Sequence, residues 1–185
     1  MARKVTSETA LISLKMANRE AKQITREAIE ESLLLLLETK ALDRISISEL
    51  TQKAGVSRNA FYRHYQSKEA LLYKIIKRAT LTAVKGLQRF NLETERYQAW
   101  LYLFKKAKEH SRLLKIILKH NMVQWLYDII LNRLDKFQRQ SDTTRRLYMH
   151  SFWSQAVLSV LGRWITEGMT IPEEEMAAMD LPLLI

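Results

Sequence analysis

The sequence contains no cysteine among its 185 residues, and it has only four glycines and two prolines. The missing thiol excludes disulfides, thiolate metal sites and a cysteine nucleophile. Glycine and proline mark turns and strand ends, so their scarcity favours long helices. The hydrophobic share of 47% and the charged share of 27% are ordinary for a globular protein. The composition therefore predicts an all-α fold.

A long hydrophobic run is also missing. The most apolar stretch is Leu33 to Leu37, whereas a membrane-spanning helix needs about 20 apolar residues. The first residues, MARKVTSETALISLKMANREAK, lack the apolar core of a secretory leader. We therefore expect a cytoplasmic protein with no membrane partner.

Motifs for catalysis are missing as well. The four histidines, at positions 64, 110, 120 and 150, include no pair at the i, i+4 spacing of a helical metal site. There is no glycine-rich phosphate loop and no G-x-S-x-G motif. We expect no enzymatic activity, no metal site and no cofactor.

Positive charge is abundant and unevenly distributed. The net charge is +10, and residues 1–89 hold 17 Lys and Arg against 9 Asp and Glu. Residues 90–185 hold 13 against 11. The basic excess of the first half suits a polyanionic partner, although a basic surface is also a common aid to solubility.

Residues 46–65, SISELTQKAGVSRNAFYRHY, predict two short helices joined by a tight turn. Ser46 and Glu49 have the spacing of a capping box, and Gly55 can adopt the positive φ that a sharp turn requires. The apolar positions expected to face inward are Ile47, Leu50, Ala54, Val56, Ala60 and Phe61. Such a pattern fits a DNA-binding helix-turn-helix or a plain helical hairpin.

The outer side of the second helix carries Ser57, Arg58, Asn59, Tyr62 and Arg63. This set contains donors, acceptors and positive charge but no carboxylate. A helix with such a surface is suited to enter the major groove and contact base edges.

Residues 55–72, GVSRNAFYRHYQSKEALL, closely resemble the signature of the TetR family of transcription regulators. The resemblance covers about residues 24–80. Tyr65 stands where Phe is more usual, and Gln66 replaces a frequent Pro. The resemblance implies a DNA-binding head, a helical body, and homodimers formed through the last two long helices.

The resemblance also assigns DNA contacts. Ser57, Arg58, Asn59 and Arg63 match or adjoin its base-reading positions. Tyr62, His64 and Lys68 match its phosphate-binding positions, and the hydroxyl of Ser46 is a further phosphate candidate. The ring of Tyr62 alternatively packs the head.

We expect three regions: an N-terminal arm (1–23), a helix-turn-helix domain (24–89) that ends in a connector helix, and a helical body (90–185). The arm is either a frayed tail or a segment that contacts phosphates or the minor groove. The expected helices span 25–40, 46–54, 57–65, 68 to the high 80s, 94–109, 111–120, 122–139, 143–167 and 172 onward, with Thr25, Thr94 and Asp142 as caps and stops at Asn121 and Gly168.

The long helix over 143–167 is apolar over much of its girth, so it needs burial on two sides. One side can be the core of its own subunit and the other a second copy, as the resemblance implies. The expected interface residues are Ser151, Ser159, Gly162 and Trp164. The alternative is a core helix in a monomer.

Aromatic residues of the body are candidates for lining an effector pocket between helices, which the resemblance also implies. These residues are Trp100, Phe104, Trp125, Tyr148 and Trp153. The alternative is that they form plain hydrophobic core.

Together these observations predict a TetR-like, homodimeric regulator that binds a palindromic operator in double-stranded DNA. Repression and release by a small-molecule effector are expected from the resemblance. The alternative is a co-regulator or interaction protein that activates, or binds a partner protein, without reading DNA itself.

Overall fold

The computed structural model describes residues 2–137 and 143–183. These residues form nine α-helices, one short 3₁₀ turn and no strand, so the predicted all-α fold is confirmed. The elements are α1 (Ala2–Leu37), a 3₁₀ turn (Leu42–Arg44), α2 (Ile47–Lys53), α3 (Arg58–His64), α4 (Lys68–Leu87), α5 (Arg96–Glu109), α6 (Ser111–Lys119), α7 (Val123–Phe137), α8 (Thr143–Thr166) and α9 (Glu173–Ala178). None of the described helices combines the length and apolar character needed to cross a membrane.

The chain divides into two compact units, and the division falls between Leu72 and Tyr73, inside α4. We call the first unit the head and the second the body. We expected the boundary after residue 89, at the end of this helix. The observed division is earlier because Leu71 and Leu72 are fully buried at the start of α4, whereas Leu87 belongs to the core of the body.

The N-terminal arm forms part of α1, which is continuous from Ala2 to Leu37. The expected helix start near Thr25 is therefore wrong, because the Thr25 hydroxyl donates to the carbonyl of Ala21 within the helix. Residues 2–24 contain neither glycine nor proline, so no residue in them favours a break. Side chains from 11 to 24 are exposed, and contact of this segment with DNA remains a prediction.

The head has a core shared by its helices. Ile29, Leu33 and Leu37 of α1 are fully buried, as are Leu50 of α2 and Phe61 of α3. Because each helix of this unit contributes to one small core, the orientation of α3 is set by all of them.

Two tryptophans hold the C-terminal segment of the body in place. The indole N–H of Trp100 donates to the carbonyl of Leu181 at 2.8 Å, and that of Trp164 donates to Ile171 at 2.9 Å. Lys108 also pairs with Glu173 at 2.8 Å, and this hydrogen bond lowers the pKa of the Glu173 carboxyl. These contacts attach α9 and the residues on either side of it to α5 and α8.

Helix ends in the body follow the predicted stops more closely than the predicted starts. Asn121 (φ 54°) follows α6 and Gly168 (φ 83°) follows α8, both in the left-handed region. Thr94 is not the cap of α5, because Glu95 occupies that position. Pro172 precedes α9 as its capping residue instead of lying in its first turn. The expected cap Asp142 lies outside the described residues.

Candidate nucleic-acid interface and body cavity

Helix α2 begins as the sequence predicts. The Ser46 hydroxyl caps the helix by accepting a hydrogen bond from the Glu49 backbone N–H at 3.1 Å. The Glu49 carboxylate does not complete a capping box, since it pairs with Lys40. This pair ties the start of α2 to the residues that follow α1.

The turn between α2 and α3 depends on Gly55. Its φ of 66° lies in the left-handed region, as predicted. The Gly55 N–H donates to Gln52 at 3.2 Å, and the Val56 N–H donates to Thr51 at 3.0 Å. This pair of bonds is a Schellman motif, which satisfies the last carbonyls of α2 and reverses the chain within two residues.

Helix α3 presents one buried and one exposed side. The Ser57 hydroxyl caps it by accepting from the Ala60 N–H at 3.1 Å. Phe61 is fully buried and contacts the Tyr65 ring, with 5.9 Å between ring centroids. The inward orientation of Phe61 fixes which residues of this short helix face solvent.

The predicted base-reading residues lie on the exposed side of α3. Arg58, Asn59 and Arg63 are exposed, and no acidic residue occurs in the helix. The Nε of Arg63 donates to the carbonyl of Asn59 at 3.4 Å. Ser57 is also exposed, although its oxygen already serves as the cap. Guanidinium and amide groups in this arrangement can make bidentate contacts to guanine and adenine.

Three of the four predicted phosphate-binding residues line one depression of about 350 Å³ in the head: Ser46, Tyr62 and Lys68. Tyr62 is 52% exposed, and its ring meets Phe61 edge-on. Arg44 also lines the depression, and our sequence analysis missed it because it precedes the motif. His64 is half-buried and lies elsewhere on α3.

Lys68 has a structural role that the sequence did not indicate. Its ammonium donates to the carbonyl of Ile45 at 2.6 Å and to that of Asp43 at 3.1 Å. Two of its three N–H donors thus hold the segment before α2 against the start of α4. One donor is left for an incoming phosphate.

We expect Lys68→Ala to lower the free energy of unfolding of the head by about 1 kcal/mol, since it removes two hydrogen bonds to carbonyls. It should also weaken binding to all DNA sequences alike, because phosphate contacts carry no sequence information. Chemical denaturation followed by far-UV circular dichroism measures the first effect, and titration with two unrelated duplexes measures the second. A stability identical to that of the wild type would contradict the structural role.

Tyr65, which stands where Phe is more usual, links the end of α3 to α1. Its hydroxyl donates to the Glu30 carboxylate at 2.8 Å, and both residues are buried. Burial, and then this hydrogen bond, raise the pKa of the Tyr65 phenol. The two residues are 35 positions apart in sequence, so no local sequence pattern could predict the bond.

The body contains a cavity of about 100 Å³ between helices. Its wall is almost entirely apolar and is formed by Ala79, Thr80, Ala83, Val84, Leu87, Leu103, Lys106, Ala107, His110, Leu113, Leu114, Ile117, Leu126, Ile130, Trp153, Ser154, Val157, Leu158 and Leu161. A wider groove of about 810 Å³ adjoins it and shares Val84, Leu87 and Trp153 with its wall.

Of the five aromatic residues expected to line a pocket, only Trp153 lies on this cavity. Trp100 and Phe104 stack on each other in the core, where they are at most 2% exposed. Trp125 contacts Tyr73, and Tyr148 is 75% exposed. Trp100 and Phe104 therefore belong to the hydrophobic core, which was the alternative for them. Trp125 and Tyr148 line neither this cavity nor the adjoining groove.

The expected interface residues of α8 separate into two groups. Ser159 is exposed and Ser151 is half-buried. Trp164 is 2% exposed within its own subunit, and a Cβ at Gly162 would lie 3.4 Å from Leu118. The expectation is corrected for Trp164, which is buried within its own subunit. For Gly162, which is half-buried, the interface role stays a prediction. The exposed face of α8 instead presents Leu147, Tyr148 and Phe152, which are 43%, 75% and 65% exposed.

Comparison with known proteins agrees with this geometry. The family model described as bacterial regulatory proteins, tetR family, matches residues 34–75, which include α2 and α3. A second model, described as transcriptional regulator C-terminal region, matches residues 94–181. The first match falls almost wholly on the head, and the second lies within the body.

Relatives with curated names are similar along most of the chain. It is 28% identical over 172 residues to the HTH-type transcriptional regulator YxbF of Bacillus subtilis, covering 86% of this chain and 44% of that protein. It is 26% identical over 155 residues to the nucleoid occlusion factor SlmA of Vibrio campbellii, covering 81% of this chain and 74% of that protein. The chain therefore spans less than half the length of the first relative.

Solved structures share the fold. NalD of Pseudomonas aeruginosa, the secondary repressor of a multidrug efflux pump, superposes with a TM-score of 0.64 at 16% identity, covering 85% of this chain and 92% of NalD. The helix-turn-helix, the helical body and both family matches lead to one assignment. The chain belongs to the TetR family of bacterial regulatory proteins.

Proposed function

We propose that the protein represses transcription as a homodimer that reads a palindromic operator through α3. The observation that carries this proposal is the exposed face of α3, where Arg58, Asn59 and Arg63 occur without a carboxylate on the helix. Two such helices related by a two-fold axis would contact half-sites roughly 34–36 Å apart.

The homodimer is supported by the exposed side of α8. Tyr148 and Phe152 are one helical turn apart, and both are mostly exposed. Large apolar side chains grouped on one face typically mark an interface. Ser159, two turns further along the helix, extends this face with a small side chain that permits close helix approach.

Release by an effector is supported by the body cavity. Helix α4 contributes Leu71 and Leu72 to the buried residues of the head and contributes Thr80 and Val84 to the cavity wall. A ligand that displaces Thr80 and Val84 would therefore act on α4, the same helix that carries Leu71 and Leu72 of the head. We propose repression because NalD of Pseudomonas aeruginosa, whose fold is similar, is described as a repressor.

Selection from random duplex DNA at about 150 mM salt tests the function. Enrichment of a palindrome is expected for a dimeric sequence reader. Weak binding with no enriched sequence would contradict it and favour an interaction protein, since basic proteins also bind DNA without specificity.

We expect Arg58→Ala to cost roughly 1–3 kcal/mol on the preferred site and to relax the choice of base at one position per half-site. Lys53→Ala is the matched control, because it also removes one positive charge, at the end of α2. The control should weaken binding without changing the preferred sequence. Competition binding with single-base variants of the selected site measures both effects, and an unchanged preference in Arg58→Ala would remove Arg58 from the base-reading set.

A further inference from the structure

We propose that the N-terminal half of α1 is a second DNA-binding element, whose exposed basic residues bind the phosphates that flank the half-site contacted by α3. These residues are Lys15, Arg19 and Lys22, which we call the basic stripe. This inference rests on α3 as the DNA-contacting helix of the proposed function. It adds a binding surface outside the helix-turn-helix motif.

The basic stripe follows one line along the helix. Its members are spaced four and three residues apart, and Arg26 continues the pattern after another four. At 3.6 residues per turn, these four side chains fall within an arc of about 60°. All three residues of the stripe are exposed, and none of them forms an ion pair with another residue that the structure describes. The acidic residues of this segment, Glu20 and Glu27, point about 110–130° away from the centre of the stripe.

The large apolar residues of the same segment are not grouped on one side. Leu11, Ile12, Leu14, Met16 and Ile24 are each more than half exposed, and their directions are spread over about 280° of the helix circumference. A helix that packs against a protein partner carries its large apolar residues on one face. The basic residues therefore form the more sharply defined surface, and a polyanion is the partner that fits it.

The basic stripe lies on the same side of α1 as the core of the head. Ile29, Leu33 and Leu37 are fully buried, and together with the stripe they fall within one arc of about 80°. Helix α1 packs against both α2 and α3. Burial raises the pKa of the Tyr65 phenol, and a hydrogen bond from the Arg26 guanidinium opposes this rise, so Arg26 lies beside the end of α3. The stripe thus continues, beyond the head, the side of α1 that faces α3.

A helix inserted in the major groove brings the neighbouring phosphates level with this side of α1. A helix is about 10–12 Å in diameter, and the groove is about 8.5 Å deep. When the exposed side of α3 reaches the floor of the groove, the phosphate ridges stand near its buried side, which packs on α1. Lys15 lies about 16 Å from Arg26 along the helix axis. The stripe can therefore reach phosphates up to about five base pairs further along, at roughly 3.4 Å per base pair.

Phosphates, and not base edges, are the groups that this helix can contact. The minor groove is about 6 Å wide, which is narrower than an α-helix. The major groove at the half-site is occupied by α3. Lysine and arginine that pair with phosphate oxygens carry no sequence information. The stripe should therefore add affinity and salt dependence and leave the preferred sequence unchanged.

The test compares the wild type with a stripe variant that carries Lys15→Gln, Arg19→Gln and Lys22→Gln. Glutamine has a high helix propensity, so the far-UV circular dichroism should be unchanged. Binding to a long duplex of unrelated sequence and to a selected palindrome is titrated between about 50 and 200 mM salt. The slope of log K against log salt concentration should be smaller in magnitude by roughly three per bound subunit, because each phosphate contact contributes about 0.9.

A variant with Lys85→Gln, Lys105→Gln and Lys115→Gln is the matched control. It removes the same charge from exposed positions of the body, the unit that does not contain α3. Its slope should stay close to that of the wild type, because counterions are released where the protein contacts phosphates.

Shortening the DNA separates direct phosphate contacts from a general effect of charge. The selected palindrome is prepared in two duplexes that end about two or about ten base pairs beyond each half-site. The wild type should bind the longer duplex about tenfold or more tightly, since the shorter one lacks the flanking phosphates, whereas the stripe variant should bind both equally.

Two results would overturn the inference: a slope that changes no more than in the control, or an equal loss of affinity on the shorter duplex for the wild type and the stripe variant. The salt titration on unrelated DNA does not depend on a palindrome. A failed site selection would therefore contradict the proposed function, and the slope difference would still support the basic stripe as a phosphate-binding surface.

Discussion

Phe152→Glu is expected to convert the protein to a monomer and to weaken binding to a palindromic operator by at least about 100-fold. Phe152 is 65% exposed on α8 and lies one turn from Tyr148, which is 75% exposed. A carboxylate at this position would be buried between two subunits without a partner, which strongly opposes association. Sedimentation at micromolar concentration measures the oligomeric state, and titration with the palindrome measures the affinity.

Gln98→Glu is the matched control, since it introduces the same charge at an exposed position of α5. It should leave both the oligomeric state and the affinity nearly unchanged. A charge at Gly162 would be a poor test, because a side chain there meets Leu118 in the same subunit. If Phe152→Glu remains dimeric with wild-type affinity, this face of α8 is not the interface.

Phe61→Ala is expected to destabilise the head by about 3–5 kcal/mol and to abolish specific DNA binding. The Phe61 ring is fully buried, with Tyr62 edge-on at 5.3 Å and Tyr65 at 5.9 Å. Its loss leaves a cavity beneath the helix that carries Arg58 and Asn59. The exposed side chains cannot hold a reading geometry when the buried side of their helix is no longer packed.

Tryptophan fluorescence and far-UV circular dichroism together localise this effect. All four tryptophans, at positions 100, 125, 153 and 164, belong to the body. Head unfolding should therefore appear in circular dichroism at lower denaturant concentration while the tryptophan transition is unchanged. Tyr62→Ala removes a half-exposed ring from the same helix, so it should cost far less stability. An equal loss in the two variants would contradict the packing role of Phe61.

Much of the head was predictable from residues close together in sequence. Ser46 caps α2 three residues before Glu49, and Gly55 reverses the chain directly after that helix. Phe61 lies at the helical spacing that requires it to face inward. Each of these signals depends on backbone geometry over one or two turns, which a short segment encodes on its own.

Prediction was weaker where a segment offered no local signal. The first residues were expected to form an arm, either frayed or in contact with DNA, and a helix was expected only from about residue 25, yet α1 is continuous from Ala2. The boundary between units was expected at a loop, and instead it falls within α4. A helix that serves two cores has no residue type that marks where one ends and the next begins.

The sequence by itself determined the helical class, the exposed polar face of α3 and the turn at Gly55, because periodicity and capping operate within a few residues. Only the tertiary structure decided which groups form hydrogen bonds with each other. Lys68 bonds to the carbonyls of Asp43 and Ile45, and Tyr65 bonds to Glu30. The buried indole of Trp100 bonds to a backbone carbonyl, whereas that of Trp153 has no such partner in the described part of the chain. An apolar stripe predicts which side of a helix is buried, but it does not predict which residues cover that side. These pairs span 23 to 81 positions in sequence and depend on how whole helices pack, so no local pattern could predict them.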